Sequence, residues 1–119
     1  MAQHVLIVDD EKEFTKFVAE ALGMRAYQTT EANSGQEALD ILAKTPIDLM
    51  TLDLNMPGMN GLQVAKIVNE KYPNVKIVVI TGFGSDFDEQ LKEYKIARVM
   101  PKPVPFRDLI NVVGELLKS

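Results

Sequence analysis

The sequence contains no cysteine and a single histidine, His4. The lack of cysteine excludes disulfides, zinc–thiolate sites and thiol nucleophiles, and one histidine cannot form a multi-histidine metal site. Basic residues are not in excess either, because 13 Lys and Arg stand against 17 Asp and Glu, for a net charge of −4. Nucleic-acid binding depends on clustered cations that contact phosphates, so this composition argues against nucleic-acid binding by the chain itself.

Long apolar runs and a leader segment are also missing. Every apolar run is far shorter than the about 20 residues that a helix needs to cross a bilayer. Met1-Ala2-Gln3 leads directly into a strand-like stretch and does not resemble a signal peptide. We therefore expect no membrane contact and a cytoplasmic location. With 119 residues, 46% of them hydrophobic, the chain has the size and composition of a single domain spanning 1–119.

Strand-like apolar runs alternate with helical spacing along the chain. The predicted strands are 5–8, 26–32, 49–52, 75–80 and 97–100. Each is followed by apolar residues at helical spacing, namely Phe14, Phe17, Val18, Ala21 and Leu22, then Ala38, Ile41 and Leu42, then Leu62, Ala65 and Val68, then 85–94, then 106–117. Five βα units predict an α/β fold with a parallel sheet and helices on both faces. The second strand is polar, so we place it at a sheet edge.

Local signals predict where several helices begin and end. Gly23 suits the end of the first helix. Ser34 followed by Glu37 three residues later is a capping box for the second helix. Asn60 is the predicted N-cap of the third helix.

Polar residues stand directly after four of the strands: Asp9 and Asp10, Asp53, Thr81, and Lys102. Taken singly, each has an ordinary explanation, since a carboxylate can cap a helix or a turn and a lysine can lie on the surface. Together they indicate a binding site, because the carboxyl ends of parallel strands share one edge of a sheet. Carboxylates ~4 Å apart repel by roughly 4 kcal/mol per pair at an effective dielectric near 20. A protonated carboxyl or a bound oxygen-seeking cation such as Mg²⁺ relieves this repulsion.

The order and spacing of these residues resemble the receiver domain of two-component response regulators over essentially the whole chain. The similarity rests on Asp9-Asp10, on Asp53 with Asn55-Met56-Pro57-Gly58-Met59-Asn60-Gly61 behind it, on Thr81-Gly82 and on Lys102-Pro103. The resemblance implies a flavodoxin-like fold with strand order 2-1-3-4-5, which would make strands 1 and 3 neighbours. It also implies a phosphoacceptor domain that receives a phosphoryl group from a histidine kinase or a phosphotransfer protein.

The resemblance assigns the metal site and the nucleophile. Asp53 is the expected phosphoacceptor, a carboxylate nucleophile that forms an acyl phosphate. Asp10 and Asp53 are expected to give carboxylate ligands to Mg²⁺, and Asp9 acts mostly through water. The backbone carbonyl of Asn55 completes the expected protein ligands.

The resemblance also implies a switch. Lys102, preceding an expected cis Lys102-Pro103 bond, pairs with a phosphoryl oxygen, and Thr81 moves to bond another. The change is expected to reach the face made by the 85–94 helix, the fifth strand and the last helix. Candidate exposed residues there are Tyr94, Arg98, Arg107 and Asp108. The phosphodonor is expected to dock near the first helix, and dimerisation on phosphorylation is compatible with this picture. The domain is expected to signal and not to be an enzyme, with at most Mg²⁺-dependent self-phosphorylation from small donors and self-dephosphorylation.

Two positions depart from or qualify the family pattern. Val99 stands three residues before Lys102, where relatives usually carry an aromatic ring, and ordinary packing within the strand is the simpler explanation of this valine. Because valine has no ring to move, we also hypothesise that signalling depends mainly on backbone movement of the 82–86 loop. Phe83 lies at the expected mouth of the site. Its ring should hinder attacking water, which predicts a long phosphoryl lifetime.

Three other functions remain open at this point. An aspartyl phosphatase or phosphotransferase often has a second acid two residues after the nucleophile, where this chain has Asn55. A flavin- or nucleotide-binding module would need a phosphate loop after the first strand, where Asp9-Asp10-Glu11 stands. A receiver that does not take phosphate could act as a docking module, although every key residue is present.

Overall fold

The computed structural model describes residues 2–58, 60–82 and 90–118. Five parallel strands form one sheet in the order β2-β1-β3-β4-β5. The strands are β1 (His4–Val8), β2 (Gln28–Ala32), β3 (Leu49–Asp53), β4 (Lys76–Thr81) and β5 (Arg98–Pro101). The predicted fold class, the strand order and the edge position of the polar second strand are confirmed.

Helices cover both faces of this sheet. They are α1 (Lys12–Gly23), α2 (Gly35–Lys44), α3 (Gly61–Lys71) and α4 (Phe106–Leu117). Residues 85–89 of the predicted helix over 85–94 lie outside the described residues, and of 90–94 only residues 90 and 91 are helical. In the described part of the chain, no helix combines the length and the apolar content needed to span a bilayer.

The strands send alternate side chains into two separate cores. Leu6 and Val8 of β1 pack with the buried residues of α2 and α3. Val5 and Ile7 of the same strand pack with those of α1 and α4. This is why the central strands are continuous apolar runs, since a strand covered on both faces has no side that can be polar. Fully burying one such side chain contributes about 1.5–3 kcal/mol.

Side-chain caps fix the starts of α2 and α3, and the cap of α2 differs from the prediction. Asn60 forms a complete capping box with Gln63, as expected of the N-cap of α3. Ser34 accepts a hydrogen bond from the Glu37 N–H at 3.1 Å. The return bond of the predicted box is absent, because Glu37 Oε1 accepts from the Asn33 N–H at 3.2 Å instead of from Ser34.

The first helix ends at Gly23 as predicted, but the second strand begins later than predicted. Gly23 is the last helical residue, and the residue in the left-handed conformation is Ala26, with φ of 70°. Hydrogen bonds from Arg25 N–H to Leu22 O and from Ala26 N–H to Gly23 O close a turn first. Ala26 therefore belongs to the turn, and β2 starts at Gln28 and not at Ala26.

Phe17 and Tyr94 differ in exposure from the sequence-based predictions. Phe17 fits the apolar spacing of α1 but is 60% exposed. It lies at the margin of the buried face of the helix, which carries Val18 and Leu22. On the predicted signalling face, Arg98, Arg107 and Asp108 are exposed as expected, whereas Tyr94 is half-buried.

Candidate functional site

Sheet register brings the polar residues after the strands together. Val8 pairs with Leu52 across β1 and β3, so the residues that follow these two positions lie side by side. Asp53 is in register with Ile80 on β4, and Thr81 is in register with Pro101 on β5. The carboxyl edge of the sheet therefore places the last residues of β3 and β4 beside the residues that follow β1 and β5, as the strand order implies.

Asp9, Asp10 and Asp53 form a tight acidic cluster. One carboxylate oxygen from each lies within 4.8 Å of the others. Asp9 and Asp53 are each 1% exposed, and Asp10 is exposed. A capping role does not explain Asp10, because the N-cap of α1 is Glu11 and the described part of the chain shows no side-chain capping bond there. The geometry fits a divalent cation bound by hard oxygen ligands.

Asp53 is held by hydrogen bonds on both carboxylate oxygens. Oδ2 accepts from Lys102 Nζ at 3.0 Å, and Oδ1 accepts from the Asn55 N–H at 2.9 Å. The Lys102-Pro103 peptide bond is cis, as predicted. Lys102 is anchored through its own backbone, since its N–H donates to Thr81 O at 2.9 Å. The nucleophile candidate and the ammonium are thus already paired at the sheet edge.

The charges of this cluster shift two pKa values. Burial, opposed by a hydrogen bond from the Glu11 N–H and reinforced by the Asp53 charge, raises the pKa of Asp9 to about 7. Burial by itself would lower the pKa of Lys102, but the hydrogen bond and charge of Asp53 and the charge of Asp9 raise it above its ordinary value. Burial of Asp9 beside Asp53 therefore disfavours its charged form, and a bound cation would offset this effect.

The side chain of Asn55 connects two loops of the site. Its Oδ1 accepts from the Gly82 N–H at 3.1 Å, directly after Thr81, which is 1% exposed. An amide, and not the second acid of an aspartyl phosphatase, therefore occupies this position. Phe83 and the rest of the 82–86 loop beyond Gly82 lie outside the described residues, so the predicted phosphoryl lifetime and the loop hypothesis stay predictions.

The edge of the site is open and partly aromatic. A cavity of about 530 Å³ lies against Asp9 and Lys102 and extends to Phe14 and Phe106. The rings of Phe14 and Phe106 stack with centroids 5.8 Å apart. Val99 is 41% exposed on β5 and so does not pack into the core.

Sequence reasoning missed the contact of Asn33 and assigned no role to Gly61, which it named only as part of the loop motif. Gly61 begins α3 so close to β3 that a Cβ atom there would lie 2.6 Å from Leu54 Cδ2 and 2.9 Å from Asp53 O. Its place directly after the Asn60 N-cap was the available signal. Asn33 donates to the Asp9 carbonyl at 2.8 Å. No local sequence pattern predicts this contact, because Asp9 follows β1 and Asn33 follows β2.

Comparisons with known proteins agree with this geometry. The family model for the response regulator receiver domain matches residues 5–114. The chain is 30% identical over 116 residues to the response regulator receiver protein CpdR of Brucella abortus, with 97% of each protein covered. It is 30% identical over 118 residues to sporulation initiation phosphotransferase F of Bacillus subtilis, covering 98% of this chain and 95% of that protein.

Solved structures show the same likeness. Response regulator TrrA of Thermotoga maritima, in complex with Mg²⁺ and BeF, superposes with a TM-score of 0.85 at 31% identity, covering 97% of this chain and 99% of that one. A CheY-like receiver domain protein from Methanospirillum hungatei matches with a TM-score of 0.92 at 23% identity, covering 97% and 93%, which is a likeness of fold. The chain belongs to the receiver-domain family of two-component response regulators.

Proposed function

We propose that Asp53 is the phosphoacceptor of this receiver domain and that Mg²⁺ assists the transfer. The observation that supports this most strongly is the setting of the Asp53 carboxylate. It is 1% exposed, lies in a cluster of three carboxylates and is hydrogen-bonded to Lys102 Nζ at 3.0 Å. A carboxylate nucleophile, a cation and oxygen ligands for a metal are thus within reach of one phosphoryl group.

The donor set fits Mg²⁺. Asp10 and Asp53 would give carboxylate oxygens, Asp9 would act mostly through water, and Asn55 would give its backbone carbonyl. Burial, together with the neighbouring Asp53 charge, raises the pKa of Asp9 to about 7, so a bound cation would favour its ionised form. Bound Mg²⁺ would neutralise charge on the phosphoryl oxygens.

The chain's own residues then perform the transfer. A carboxylate oxygen of Asp53 forms the new P–O bond while the bond from phosphorus to the donor breaks, and the donor atom leaves with that electron pair. Lys102 exchanges its contact with Asp53 Oδ2 for a phosphoryl oxygen. Thr81, at the end of β4, turns its hydroxyl to donate to another phosphoryl oxygen.

This rearrangement is the proposed switch. The phosphoryl group adds about −1.5 to −2 charge at the sheet edge. Its oxygens attract the ammonium of Lys102 and the hydroxyl of Thr81, which therefore change position. Lys102 follows β5 directly, and Arg98 of β5 pairs with Glu115 of α4 at 3.3 Å. A change at Lys102 can therefore alter the surface formed by β5, α4 and the predicted 85–94 helix. Dimerisation on phosphorylation would use the same surface.

The phosphodonor, a sensor histidine kinase or a phosphotransfer protein, is proposed to dock near α1. An aromatic cluster beside the site supports this, with the ring of Phe106 5.8 Å from those of Phe14 and Phe17. Phe17 is 60% and Phe106 43% exposed. Exposed rings next to a phosphoacceptor offer an apolar surface for a partner helix.

In this proposal residues 1–119 make one receiver domain that acts in the cytoplasm. It signals and is not a turnover enzyme, beyond Mg²⁺-dependent self-phosphorylation from small donors and self-dephosphorylation. The domain itself binds neither nucleic acid nor a membrane.

Intact-mass measurement after incubation with acetyl phosphate tests the chemistry. We expect the wild type to gain one phosphoryl group with Mg²⁺ and none with EDTA, and Asp53→Asn to gain none. Asp40→Asn is the matched control, because Asp40 is an exposed aspartate on α2, and it should behave as the wild type. An Mg²⁺-dependent gain in Asp53→Asn contradicts the assignment of Asp53. No gain in the wild type would favour the phosphate-independent docking module.

A further inference from the structure

The backbone of Asp9 is held from the β2 side of the sheet. Its N–H donates to Ala32 O at 3.1 Å, and its carbonyl accepts from Asn33 Nδ2 at 2.8 Å. This carbonyl belongs to the peptide unit that joins Asp9 to Asp10. Its orientation therefore sets the direction in which both carboxylates leave the chain.

Asn33 is itself fixed by further hydrogen bonds. Nδ2 also lies 3.3 Å from Thr15 Oγ1, so both amide hydrogens have acceptors. The Asn33 N–H donates to Glu37 Oε1 at 3.2 Å. With donors on both the side chain and the backbone engaged, Asn33 presents its amide to Asp9 in one orientation.

Thr15 extends this network away from the acidic cluster. It is 0% exposed on α1, and its Oγ1 lies 2.8 Å from Glu31 Oε1 and 3.0 Å from Lys12 O. The hydroxyl has one hydrogen, and a carboxylate is the stronger acceptor. Thr15 thus accepts from Asn33 and donates to Glu31, which connects β2, α1 and the end of β1 in one chain of hydrogen bonds.

We propose that Asn33 is a positioning residue of the acidic cluster, which orients the Asp9–Asp10 peptide for Mg²⁺ through its hydrogen bond to the Asp9 carbonyl. The inference rests on the proposed Mg²⁺ site. Groups that hold metal ligands in place without touching the metal alter affinity, typically by 10–100-fold when they are removed. Asn33 acts on a peptide whose two side chains are both proposed to contribute to the metal site, so its loss should weaken binding at two ligands together.

Calorimetric titration with MgCl₂ tests this directly. We expect Asn33→Ala to bind Mg²⁺ about tenfold more weakly than the wild type. Thr15→Val, which keeps the shape of the side chain and removes the hydroxyl, should weaken binding less, and Thr15→Ser should restore it. The Thr15 variants provide an independent measurement if Asn33→Ala does not fold.

Asn69→Ala is the matched control. Asn69 also ties a loop through its side chain, donating to Lys95 O at 3.2 Å and accepting from the Lys95 N–H at 2.7 Å, before β5 begins at the opposite edge of the sheet. Urea unfolding should show similar losses of stability for the two alanine variants, and only Asn33→Ala should lose Mg²⁺ affinity. Equal Mg²⁺ affinity in Asn33→Ala and the wild type overturns the proposal. A wild type that binds no Mg²⁺ overturns the metal site itself, which is a distinct result.

Discussion

Replacing Asp9 with asparagine should stabilise the metal-free chain at neutral and alkaline pH. Asp9 is 1% exposed, and its burial and the neighbouring Asp53 charge raise its pKa to about 7. Asparagine has nearly the same shape and retains an oxygen that can accept the Glu11 N–H, now 2.9 Å from Asp9 Oδ1. The substitution therefore removes mainly the charge, which is unfavourable in this position without a cation.

The size of the effect follows from the pKa. In the folded chain the pKa of Asp9 lies near 7, against an ordinary value of 3.8. At about 1.4 kcal/mol per pKa unit this difference corresponds to about 4 kcal/mol, an upper limit. Because the folded pKa is the higher one, the contribution of Asp9 to stability is most favourable below about pH 4, falls as the pH rises to about 7, and changes little above pH 8. The advantage of Asp9→Asn should therefore be small at pH 4.5 and full at pH 8.

Urea unfolding in EDTA, followed by circular dichroism at both pH values, measures this difference. Asp40→Asn is the control for loss of one negative charge, and its stability should stay within about 0.5 kcal/mol of the wild type, as for most surface substitutions. Addition of Mg²⁺ should stabilise the wild type more than Asp9→Asn, because a cation that binds only the folded chain shifts unfolding by mass action. Equal stability of Asp9→Asn and the wild type at pH 8, or the same gain at both pH values, would refute this reasoning.

Three further substitutions probe other contacts. Among the described residues, the buried hydroxyl of Thr51 has no hydrogen-bond partner, so Thr51→Val should raise the free energy of unfolding by about 1 kcal/mol; a loss in urea unfolding would contradict this. A Cβ atom at Gly61 would lie 2.7 Å from Leu54 Cα, so Gly61→Ala should cost about 1–3 kcal/mol and slow labelling by acetyl phosphate; unchanged stability and rate would show that α3 can shift freely. Asn55→Ala removes the acceptor of the Gly82 N–H, so amide exchange at Gly82 should accelerate, and an unchanged exchange rate would show that this hydrogen bond is weak in solution.

Much of the fold follows from local sequence patterns. The central strands are recognisable because both faces are covered, which makes them continuously apolar. Asn60 was recognisable as an N-cap because a cap is a local contact between residues three positions apart. The convergence of Asp9, Asp53 and Lys102 required the strand order, which came from the resemblance and not from composition or spacing.

The remaining features depend on packing between distant segments. The second strand was expected to begin at Ala26, yet Ala26 adopts the left-handed conformation in the turn after α1, because the path into β2 determines where the chain reverses. Phe17 matches the helical period but is exposed, since the period alone does not tell how wide the buried stripe is. The contact of Asn33 with the Asp9 carbonyl spans 24 positions and has no local signature.

Chemical identification of the phosphorylated residue decides whether Asp53 is the acceptor. Borohydride reduction converts an aspartyl phosphate to homoserine, which peptide sequencing by mass spectrometry locates. After incubation with acetyl phosphate and Mg²⁺, we expect homoserine at position 53 alone, and none when EDTA replaces Mg²⁺. Homoserine at another acidic residue, or a phosphoryl group on Thr81 that survives reduction, would contradict the proposed function.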